Sequence, residues 1–342
     1  MLAPMHGVAD VVLRAVLSRI GGFDLAVSEF VRVTSSLLPE RTFLHSAPEL
    51  ACGSRTAAGT PVRVQLLGGD ATCMAENAAR LAGLGPVGID LNFGCPAPTV
   101  NRHDGGAILL DAPERLFAIT DAVRRALPAS VPLSAKMRLG VSDPARALDC
   151  AQALAAGGID TLVVHARTRD EGYRPPAHWA LLAPIGEALK VPVVANGEVW
   201  TLADYRRCRA ETGLADVMLG RGAVCDPFLA RRIAAAEWGG MTVSESASAE
   251  SGTEGEASDR GDDSEVRLRA AEWRELQPAL ADFWRLAQQR VSQRAAPGRL
   301  KQWLAQLARR YPEADALRAA VRPLTGVADT AAMLRAHGVP AD

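Results

Sequence analysis

The stretch VRVQLLGGDATCMAENAARLAGLGPVGIDLNF, residues 62–93, contains a strand–helix–strand pattern. Its two ends, residues 62–67 and 88–93, are short apolar runs with the length of buried strands. The segment between them places apolar residues at helical spacing. A helix that joins two such strands predicts a parallel β–α–β unit. The number of these units along the chain then decides between an open sheet and a closed barrel.

The pattern recurs through the first 238 residues. Further strand-like runs lie at residues 1–5, 25–30, 132–139, 161–166, 192–197 and 216–222. Eight strands that alternate with helices over ~240 residues predict an α/β fold of the (β/α)8 TIM-barrel type. A doubly wound sheet is the alternative, but it would need fewer strands and a phosphate-binding loop after the first one.

One glycine motif, GLGPVG at residues 83–88, matches the dinucleotide fingerprint G-x-G-x-x-G. That fingerprint must follow a strand and open a helix. This copy instead follows a helical pattern and enters a strand. We therefore expect its glycines to end a helix and to turn the chain.

The bulk composition is that of an ordinary globular protein, with 342 residues, 48% hydrophobic, 23% charged and a net charge of −1. No apolar run reaches the ~18 residues that a membrane span needs. The first residues lack the pattern of a signal peptide, so we expect a cytoplasmic protein that does not engage a membrane. The six cysteines are scattered and form no C-x-x-C pair. We therefore expect neither a metal site nor a disulfide framework.

The composition changes sharply at residues 239–266. This segment holds eight acidic residues, one Arg and no aromatic residue, a net charge of −7, which predicts a disordered acidic linker. Residues 267–342 carry a net charge of +6 and place apolar residues at helical spacing, which predicts a small helical domain. A basic helical surface is typical either of plain solvation or of an RNA-binding domain. Residues 1–238 then form the barrel.

Polar side chains collect at the predicted carboxyl ends of the strands, where the active site of a (β/α)8 barrel lies. A single polar residue in a strand is usually structural, but recurrence at nearly every strand end predicts a functional site. In chain order these residues are Pro4, Met5 and His6; Glu29, Phe30 and Arg32; Gln65; Asn92 and Cys95; Lys136 and Arg138; His165 and Arg167; Asn196, Gly197 and Glu198; and Gly220, Arg221 and Gly222.

The ends of strands seven and eight, ANGEV at residues 195–199 and GRG at 220–222, carry glycines. Backbone N–H groups without a Cβ nearby can approach an anion closely. A phosphate site after strands seven and eight recurs in this barrel type. Together with the polar groups Gln65, Lys136 and His165, this pattern suits flavin mononucleotide (FMN), and a phosphorylated sugar is the alternative.

Cys95 differs from the other cysteines because it stands in a Gly-Cys-Pro turn just after a predicted strand. A cysteine at such a turn can be a metal ligand, half of a disulfide, a packed small hydrophobe or a catalytic group. Cys73, Cys150 and Cys208 lie in helix-like patterns and are expected to be buried packing residues.

Several segments together resemble the tRNA-dihydrouridine synthases. They run in order along the whole barrel and include APMHGVAD (3–10), IDLNFGCPAPTVN (89–101), SAKMRLG (134–140), VVHARTRDEGYRPP (163–176), VPVVANGEVW (191–200) and MLGRGA (218–223). The segments EFVRV (29–33) and RLKQWLAQL (299–307) look most like the subgroup that acts on uridine 16 of tRNA. The acidic segment at 239–266 is longer than the joint expected in this family.

The resemblance implies an FMN-binding (β/α)8 barrel with a C-terminal helical tRNA-binding domain. It implies an oxidoreductase that uses NADPH or NADH to reduce the 5,6 double bond of a uracil in tRNA. It also implies that the protein is a monomer. In the family reaction hydride passes from flavin N5 to C6, and a proton reaches C5 from the other face of the ring. Cys95 matches the family's proton donor, and a thiol is mostly protonated at neutral pH yet can release its proton.

The resemblance also assigns binding residues. Those that hold FMN are Pro4, Met5, His6, Gln65, Lys136, His165, Asn196, Gly197, Glu198, Gly220 and Arg221. Those that contact tRNA are Arg32, Asn92, Tyr173, Arg299, Lys301 and Arg322.

Two other functions remain as alternatives. One is an FMN-dependent reductase of a free small molecule on the same barrel, which would not need a basic helical tail. The other is a non-catalytic RNA-binding or chaperone protein, which would not need Cys95, Lys136 and His165.

Overall fold

The computed structural model describes residues 1–238 and 258–341, and it forms two compact units. The first unit comprises Met1–Arg19 and Phe23–Gly222, and the second comprises Ile20–Gly22 and Ala223–Asp342. Residues 223–238, assigned above to the barrel, therefore group with the helical unit. A helix that begins at Ser258 includes residues 258–266 of the segment expected to be a linker. Residues 239–257 of that segment lie outside the described part of the chain.

The first unit contains a parallel sheet of short strands that alternate with helices. The strands are β1 (Ala26–Val27), β2 (Val31–Arg32), β3 (Val62–Leu67), β4 (Ile89–Phe93), β5 (Leu133–Arg138), β6 (Thr161–His165), β7 (Val193–Asn196) and β8 (Asp216–Met218). From β3 onward each strand pairs in parallel with the next one in sequence. This order confirms the predicted β–α–β repeats.

The N-terminal segment closes the sheet into a barrel. Leu2 bridges to Ala26 on one side and to Leu219 on the other, and the N–H of Ala3 donates to the carbonyl of Leu219 at 2.8 Å. The strand expected at residues 1–5 is reduced to this bridge, since Pro4 has no N–H to continue a ladder. The fold is the predicted α/β (β/α)8 barrel.

The second barrel position is split between two short strands. Val27 pairs with Arg63 and Val31 pairs with Leu66, so the chain has one extra residue between these pairs. Such an extra residue interrupts a ladder in the manner of a β-bulge. The hydroxyl of Ser28 accepts from the N–H of Gln65 at 3.1 Å, which satisfies a donor that the ladder leaves open.

Helices of the first unit are α1 (Val11–Ile20), α2 (Glu40–Ser46), α3 (Ala71–Ala82), α4 (Pro98–Asn101), α5 (Pro113–Ala126), α6 (Ala147–Ala156), α7 (Ala183–Ala188) and α8 (Leu202–Thr212). Asp70 caps α3 by accepting from the N–H of Cys73, and Thr201 with Asp204 forms a capping box on α8. Gly83 caps the end of α3 and Gly85 has φ +69°, which confirms that GLGPVG ends a helix and turns the chain.

Helices of the second unit are α10 (Leu229–Trp238), α11 (Ser258–Arg290), α12 (Ala296–Leu307), α13 (Pro312–Val321) and α14 (Val327–Ala336), preceded by the short α9 (Arg221–Cys225) at the boundary. Its core includes Leu276, Trp284, Trp303 and Leu317. Buried carboxylates hold it together, because Glu272 accepts from Arg232, Arg310 and Tyr311.

Among the described residues, none of the helices combines the length and the apolar character needed to cross a membrane.

Candidate active site

A cavity open to solvent lies at the carboxyl ends of the barrel strands, with about 940 Å³ of empty space when its open mouth is included. Every residue that lines it belongs to the first unit. Ligand sites are typically concave clefts of this kind. The carboxyl ends of the strands are also where (β/α)8 barrels place their active sites.

Most residues singled out in the sequence meet in this cavity. Those that line it are Pro4, Met5, His6, Phe30, Gln65, Asn92, Cys95, Lys136, Arg138, His165, Arg167, Tyr173, Asn196, Gly197, Glu198, Gly220, Arg221 and Gly222. These residues come from all eight barrel positions, with Phe30 from the second. The barrel therefore brings together groups that are far apart in sequence.

The turn that carries Cys95 is held by hydrogen bonds to its backbone. Asn92 Oδ1 accepts from the N–H of Gly94 at 3.0 Å and from that of Cys95 at 2.9 Å. Asn101 Nδ2 donates to the carbonyl of Cys95 at 2.9 Å. A Cβ on Gly106, at φ +71°, would lie 2.7 Å from the same carbonyl oxygen, so only glycine leaves room for this turn.

The half-buried Cys95 thiol stays protonated at neutral pH. Burial raises the pKa of the thiol above its ordinary value, although a backbone hydrogen bond to Ala97 and the charges of Arg138 and Arg32 oppose this rise. A protonated thiol suits a proton donor, whereas a nucleophile would need the thiolate.

The lining of the cavity is rich in positive charge. Four basic side chains line it, Lys136, Arg138, Arg167 and Arg221, against the single carboxylate of Glu198. Arg167 forms an ion pair with Glu198, and Trp200 Nε1 donates to the same carboxylate at 2.9 Å. The excess of positive charge favours an anionic ligand.

Lys136 is held in the cavity by an amide rather than by a carboxylate, because its Nζ donates to Asn196 Oδ1 at 2.9 Å. Burial, with a contribution from Arg138, lowers the pKa of Lys136 to about 7. Asn196 is itself fixed, since its Nδ2 donates to the carbonyl of Met218 at 2.8 Å. The ammonium group can therefore gain or lose its proton close to neutral pH.

His165 is neutral and its proton position is defined by its neighbour. Burial lowers the pKa of His165 well below its usual range, and the charges of Lys136, Arg138 and Arg167 add to the effect. Arg167 Nη1 lies 3.3 Å from His165 Nε2. A guanidinium only donates, so Nε2 accepts and the ring proton resides on Nδ1.

Aromatic rings stand at the rim of the cavity. Tyr173 is 55% exposed, and the guanidinium groups of Arg221 and Arg138 lie 4.9 Å and 5.3 Å from its ring centre. His6 stacks on Phe30 with ring centres 4.7 Å apart. Exposed rings held by cations offer surfaces on which a base can stack.

The other residues expected to contact tRNA lie away from the cavity. Arg32 donates to the carbonyl of Thr99 at 3.1 Å. In the second unit Arg299 bonds Gln302, and Arg322 is exposed just after α13. Lys301 Nζ donates to the carbonyls of Arg322 at 3.0 Å and Leu324 at 2.5 Å, so Lys301 also closes the end of α13.

Sequence reasoning missed the buried Asp90. Its carboxylate accepts from Gln65 Nε2 at 2.7 Å and from the hydroxyl of Ser134 at 2.5 Å. The pattern Asp-x-Asn in an apolar strand was a usable signal, because alternate strand residues share one face. Arg138 and Arg167 were noted at strand ends but received no role.

Within residues 1–238 and 258–341, no group of three His, Cys, Asp or Glu side chains is placed to hold a metal ion.

Fold and cavity together define a (β/α)8-barrel enzyme whose strand ends bring four basic side chains and a protonated thiol into one cavity. Comparison with known families narrows this class. The family model described as Dihydrouridine synthase (Dus) matches residues 1–258, and the chain belongs to that family.

Curated relatives agree over nearly the full length. The tRNA-dihydrouridine(16) synthase of Aquipseudomonas alcaligenes is 54% identical over 321 residues, which cover 94% of both chains. That of Pseudomonas putida is 52% identical over 94% of this chain and 91% of that one. Among solved structures, the old yellow enzyme homologue from Zymomonas mobilis is similar with a TM-score of 0.47 at 15% identity, over 68% of this chain and 86% of that one.

Proposed function

We propose that this protein is a flavin-dependent tRNA-dihydrouridine synthase that reduces uridine 16 in the D-loop of tRNA to 5,6-dihydrouridine. The observation that carries the proposal is the presence in one cavity of the Cys95 thiol and four basic side chains. The relatives, which are tRNA-dihydrouridine(16) synthases, supply the substrate and the position.

The residues present fit FMN as the cofactor. The excess of basic side chains over carboxylates suits a phosphate. A Cβ at Gly197 would lie 2.9 Å from His165 Cδ2, so this strand end leaves space that only glycine allows. The residues that would hold FMN are Pro4, Met5, His6, Gln65, Lys136, His165, Asn196, Gly197, Glu198, Gly220 and Arg221.

Lys136 and His165 would act as the polar donors of this site. Lys136 offers an ammonium group that an anion in the cavity would keep protonated. His165 offers its Nδ1 proton, because Arg167 occupies the Nε2 side. When bound and reduced by NADPH or NADH, FMN supplies the hydride that adds to C6 of the uracil.

Cys95 supplies the proton at C5. Its raised pKa keeps the thiol protonated until negative charge develops on the uracil, at which point transfer becomes favourable. The turn fixed by Asn92 and Asn101 restrains the sulfur, and restraint of this kind lowers the cost of reaching a reactive geometry.

The tRNA must present an unstacked base to such a cavity, because the ring cannot be reached inside a folded stem. Tyr173 at the rim would stack on that base, with Asn92 as a polar contact in the cavity. Arg32 and the cations Arg299, Lys301 and Arg322 of the helical unit would bind phosphates. We assign tRNA binding to the helical domain, and place the protein in the cytoplasm as a monomer.

The proposal is tested by mapping dihydrouridine in tRNA from cells that lack this chain. We expect purified protein to be yellow with a flavin absorption spectrum, and position 16 to lose its modification in the deletion strain. Wild-type protein should restore position 16, and the Cys95→Ala variant should not. Flavin in the purified protein together with fully modified tRNA in the deletion strain would favour a reductase of a free small molecule.

A further inference from the structure

A chain of side-chain amides connects the buried carboxylate of Asp90 to the turn that carries Cys95. Gln65 Nε2 donates to Asp90 Oδ2 at 2.7 Å, and Asn92 Nδ2 donates to Gln65 Oε1 at 2.7 Å. Asn92 Oδ1 then accepts from the N–H of Cys95 at 2.9 Å. The two amides, which we call the amide relay, thus link the carboxylate to the thiol turn in three hydrogen bonds.

The barrel register places these groups side by side. Gln65 pairs with Asp90 across β3 and β4, and Asp90 pairs with Ser134 across β4 and β5. Asp90 and Asn92 are two residues apart on one strand and therefore share the inner face of the barrel. Asp90 is 1% exposed, so its position follows from the sheet itself.

The direction of the relay is determined at both ends. At one end, the N–H groups of Gly94 and Cys95 can only donate, so Asn92 must turn its oxygen toward them. Its nitrogen then faces Gln65, whose oxygen must accept. At the other end, Asp90 Oδ2 accepts from Gln65 Nε2. An aspartate side chain, unlike an amide, has no N–H that could face Gln65 and reverse this order.

The protonation state of Asp90 does not alter that direction. Burial raises the pKa of Asp90, while hydrogen bonds from Gln65 and Ser134 oppose the rise. If the carboxyl group carries a proton, the proton belongs on Oδ1, which faces the Ser134 hydroxyl at 2.5 Å. Oδ2 remains the acceptor for Gln65 in either form.

We propose that Asp90 is a positioning residue: it holds the amide relay of Gln65 and Asn92 in one direction and so fixes the turn that aims the Cys95 thiol. Asp90 itself does not line the cavity and is not a catalytic residue. Its role in turnover rests on the proposed function, whereas its role in holding the thiol turn does not.

The test compares Asp90→Asn with Ser134→Ala in the full-length flavin-bound protein. Asparagine keeps the size of the side chain but can turn an N–H toward Gln65, which lets the relay reverse and frees the N–H of Cys95. Ser134→Ala removes the other partner of Asp90 and leaves the relay intact, so it is the matched control. Asp90→Leu, which removes the acceptor completely, is a second variant with a larger expected change.

The first readout is the rate at which iodoacetamide alkylates Cys95, measured by peptide mass spectrometry with the exposed Cys52 as internal reference. A loosened turn exposes the thiol and lowers its pKa toward the ordinary value. We expect alkylation at pH 7 to become about threefold faster, because the rate follows the thiolate fraction. We expect this in Asp90→Asn, more in Asp90→Leu, and the wild-type rate in Ser134→Ala.

The second readout is dihydrouridine formation on unmodified tRNA. We expect Asp90→Asn to lower kcat about tenfold, within the range of lost general-acid alignment, with KM for tRNA within about twofold of wild type. Wild-type alkylation and kcat in Asp90→Asn would overturn the proposal. So would equal changes in Asp90→Asn and Ser134→Ala, since these would indicate a general loss of packing.

The two proposals fail differently. Wild-type protein that forms no dihydrouridine refutes the proposed function, and the alkylation rates still decide the role of Asp90. If Asp90→Leu does not fold, Asp90→Asn decides alone, and if Asp90→Asn does not fold, the ratio of alkylation rates in Asp90→Leu and Ser134→Ala decides by the same criterion.

Discussion

Cys95 shows how one residue acquires a function from its surroundings. Cys150 and Cys208 are fully buried in helices, and burial raises their pKa to about 12, so they serve as packing. Cys95 is instead half-exposed to the cavity, in a turn whose backbone is held on both sides. Among these three cysteines, Cys95 is the candidate proton donor because its thiol reaches the cavity from a fixed turn.

The first prediction at this scale concerns the thiol. Cys95→Ala should retain FMN and its reduction by NADPH, because the thiol is not among the groups assigned to the flavin. Dihydrouridine formation should fall by roughly 10²–10⁴-fold, the range for loss of a general acid. Single-turnover reduction of tRNA by the prereduced enzyme measures this step separately from reduction of the flavin.

The matched control is Cys52→Ala, which removes an exposed cysteine outside the cavity and should leave the rate unchanged. Near-normal single-turnover rates in Cys95→Ala would show that another group delivers the proton.

Lys136 gives a pH prediction. Its pKa is lowered to about 7 in the flavin-free protein, and an anion in the cavity favours the charged form. Above pH 7 the free protein has lost this proton and the complex regains it. FMN binding should therefore take up one proton and weaken by up to about tenfold per pH unit between pH 7 and 9.

Titration of flavin-free protein with FMN at several pH values checks this expectation. In this range the FMN phosphate is already fully ionised and adds no slope of its own. Lys136→Met should bind FMN more weakly and lose the pH dependence, whereas Lys190→Met, at an exposed lysine, should keep both. An unchanged slope in Lys136→Met would assign the proton to another group.

The lowered pKa of Lys136 also makes the stability of the flavin-free protein depend on pH, but stability should increase with pH whereas FMN binding should weaken. The unfolded chain keeps the Lys136 proton up to about pH 10.4, whereas the folded flavin-free protein releases it near pH 7. The unfolded state therefore binds more protons between these values, and this group makes the flavin-free protein more stable as pH rises through that window.

At the scale of elements, the strand ends depend on glycines with positive φ. Gly197 follows β7 at φ +118°, and an added Cβ would lie 2.9 Å from His165 Cδ2. Gly213 ends α8 at φ +67° with no atom within 4 Å of an added Cβ. The two positions share a left-handed backbone but differ in what surrounds them.

Gly197→Ala should therefore lose both stability and flavin, because the methyl group displaces His165. Gly213→Ala should cost only the left-handed conformation, roughly 1–2 kcal/mol, and retain its flavin. Flavin content per chain and thermal unfolding of both variants separate the two effects. Equal flavin content in the two variants would mean that glycine is needed at position 197 only for its left-handed backbone conformation and not for the space beside His165.

The elements were predictable where local pattern and sheet pairing agree. The sequence locates β3 at residues 62–67, as the structure has it, and β4 to β7 to within two residues at each end. It fails at the first two barrel positions, because Pro4 and the extra residue between Val27 and Val31 depend on which strand lies alongside. It also fails at the eighth position, where the strand expected at residues 216–222 ends at Met218 and a short helix begins at Arg221. No periodicity in the chain itself contains that information.

The residues of the site could be predicted from the sequence where they lie at the ends of predicted strands. Side chains such as Lys136 and His165 were located because the barrel rule says where they must meet. Asp90 was missed because it lies one layer deeper, where a polar residue is normally structural. Its partner Gln65 comes from a neighbouring strand, and only the register shows that the two touch.

At the scale of the whole molecule, charge is unevenly distributed. Residues 239–266 carry −7 and residues 267–342 carry +6, so a near-neutral chain includes a basic helical region. The expected tRNA contact Lys301 also donates to two carbonyls beyond α13. Its removal would therefore alter both charge and stability, whereas Arg322 is exposed.

Arg322→Gln should weaken tRNA binding and reduce the slope of log K against log salt by about 0.7–0.9, the value for one phosphate contact. Its melting temperature and flavin content should match wild type. Lys301→Met should change the slope similarly and also lower the melting temperature of the protein. Arg125→Gln, on the exposed face of α5, is the charge-matched control and should change the slope little.

The last prediction concerns which uridine is reduced. The relatives are named for position 16, and a position is selected by how the whole tRNA sits on the protein rather than by the uracil alone, since all uracils are chemically alike. A deletion strain should therefore lose dihydrouridine at position 16 and keep it at other D-loop positions. When the Arg322→Gln variant is expressed in the deletion strain at the wild-type level, it should modify less of position 16 and no other uridine in its place. A phosphate contact contributes affinity but does not identify the base. If a different D-loop uridine is lost instead, the enzyme class stands and the assignment to position 16 is wrong.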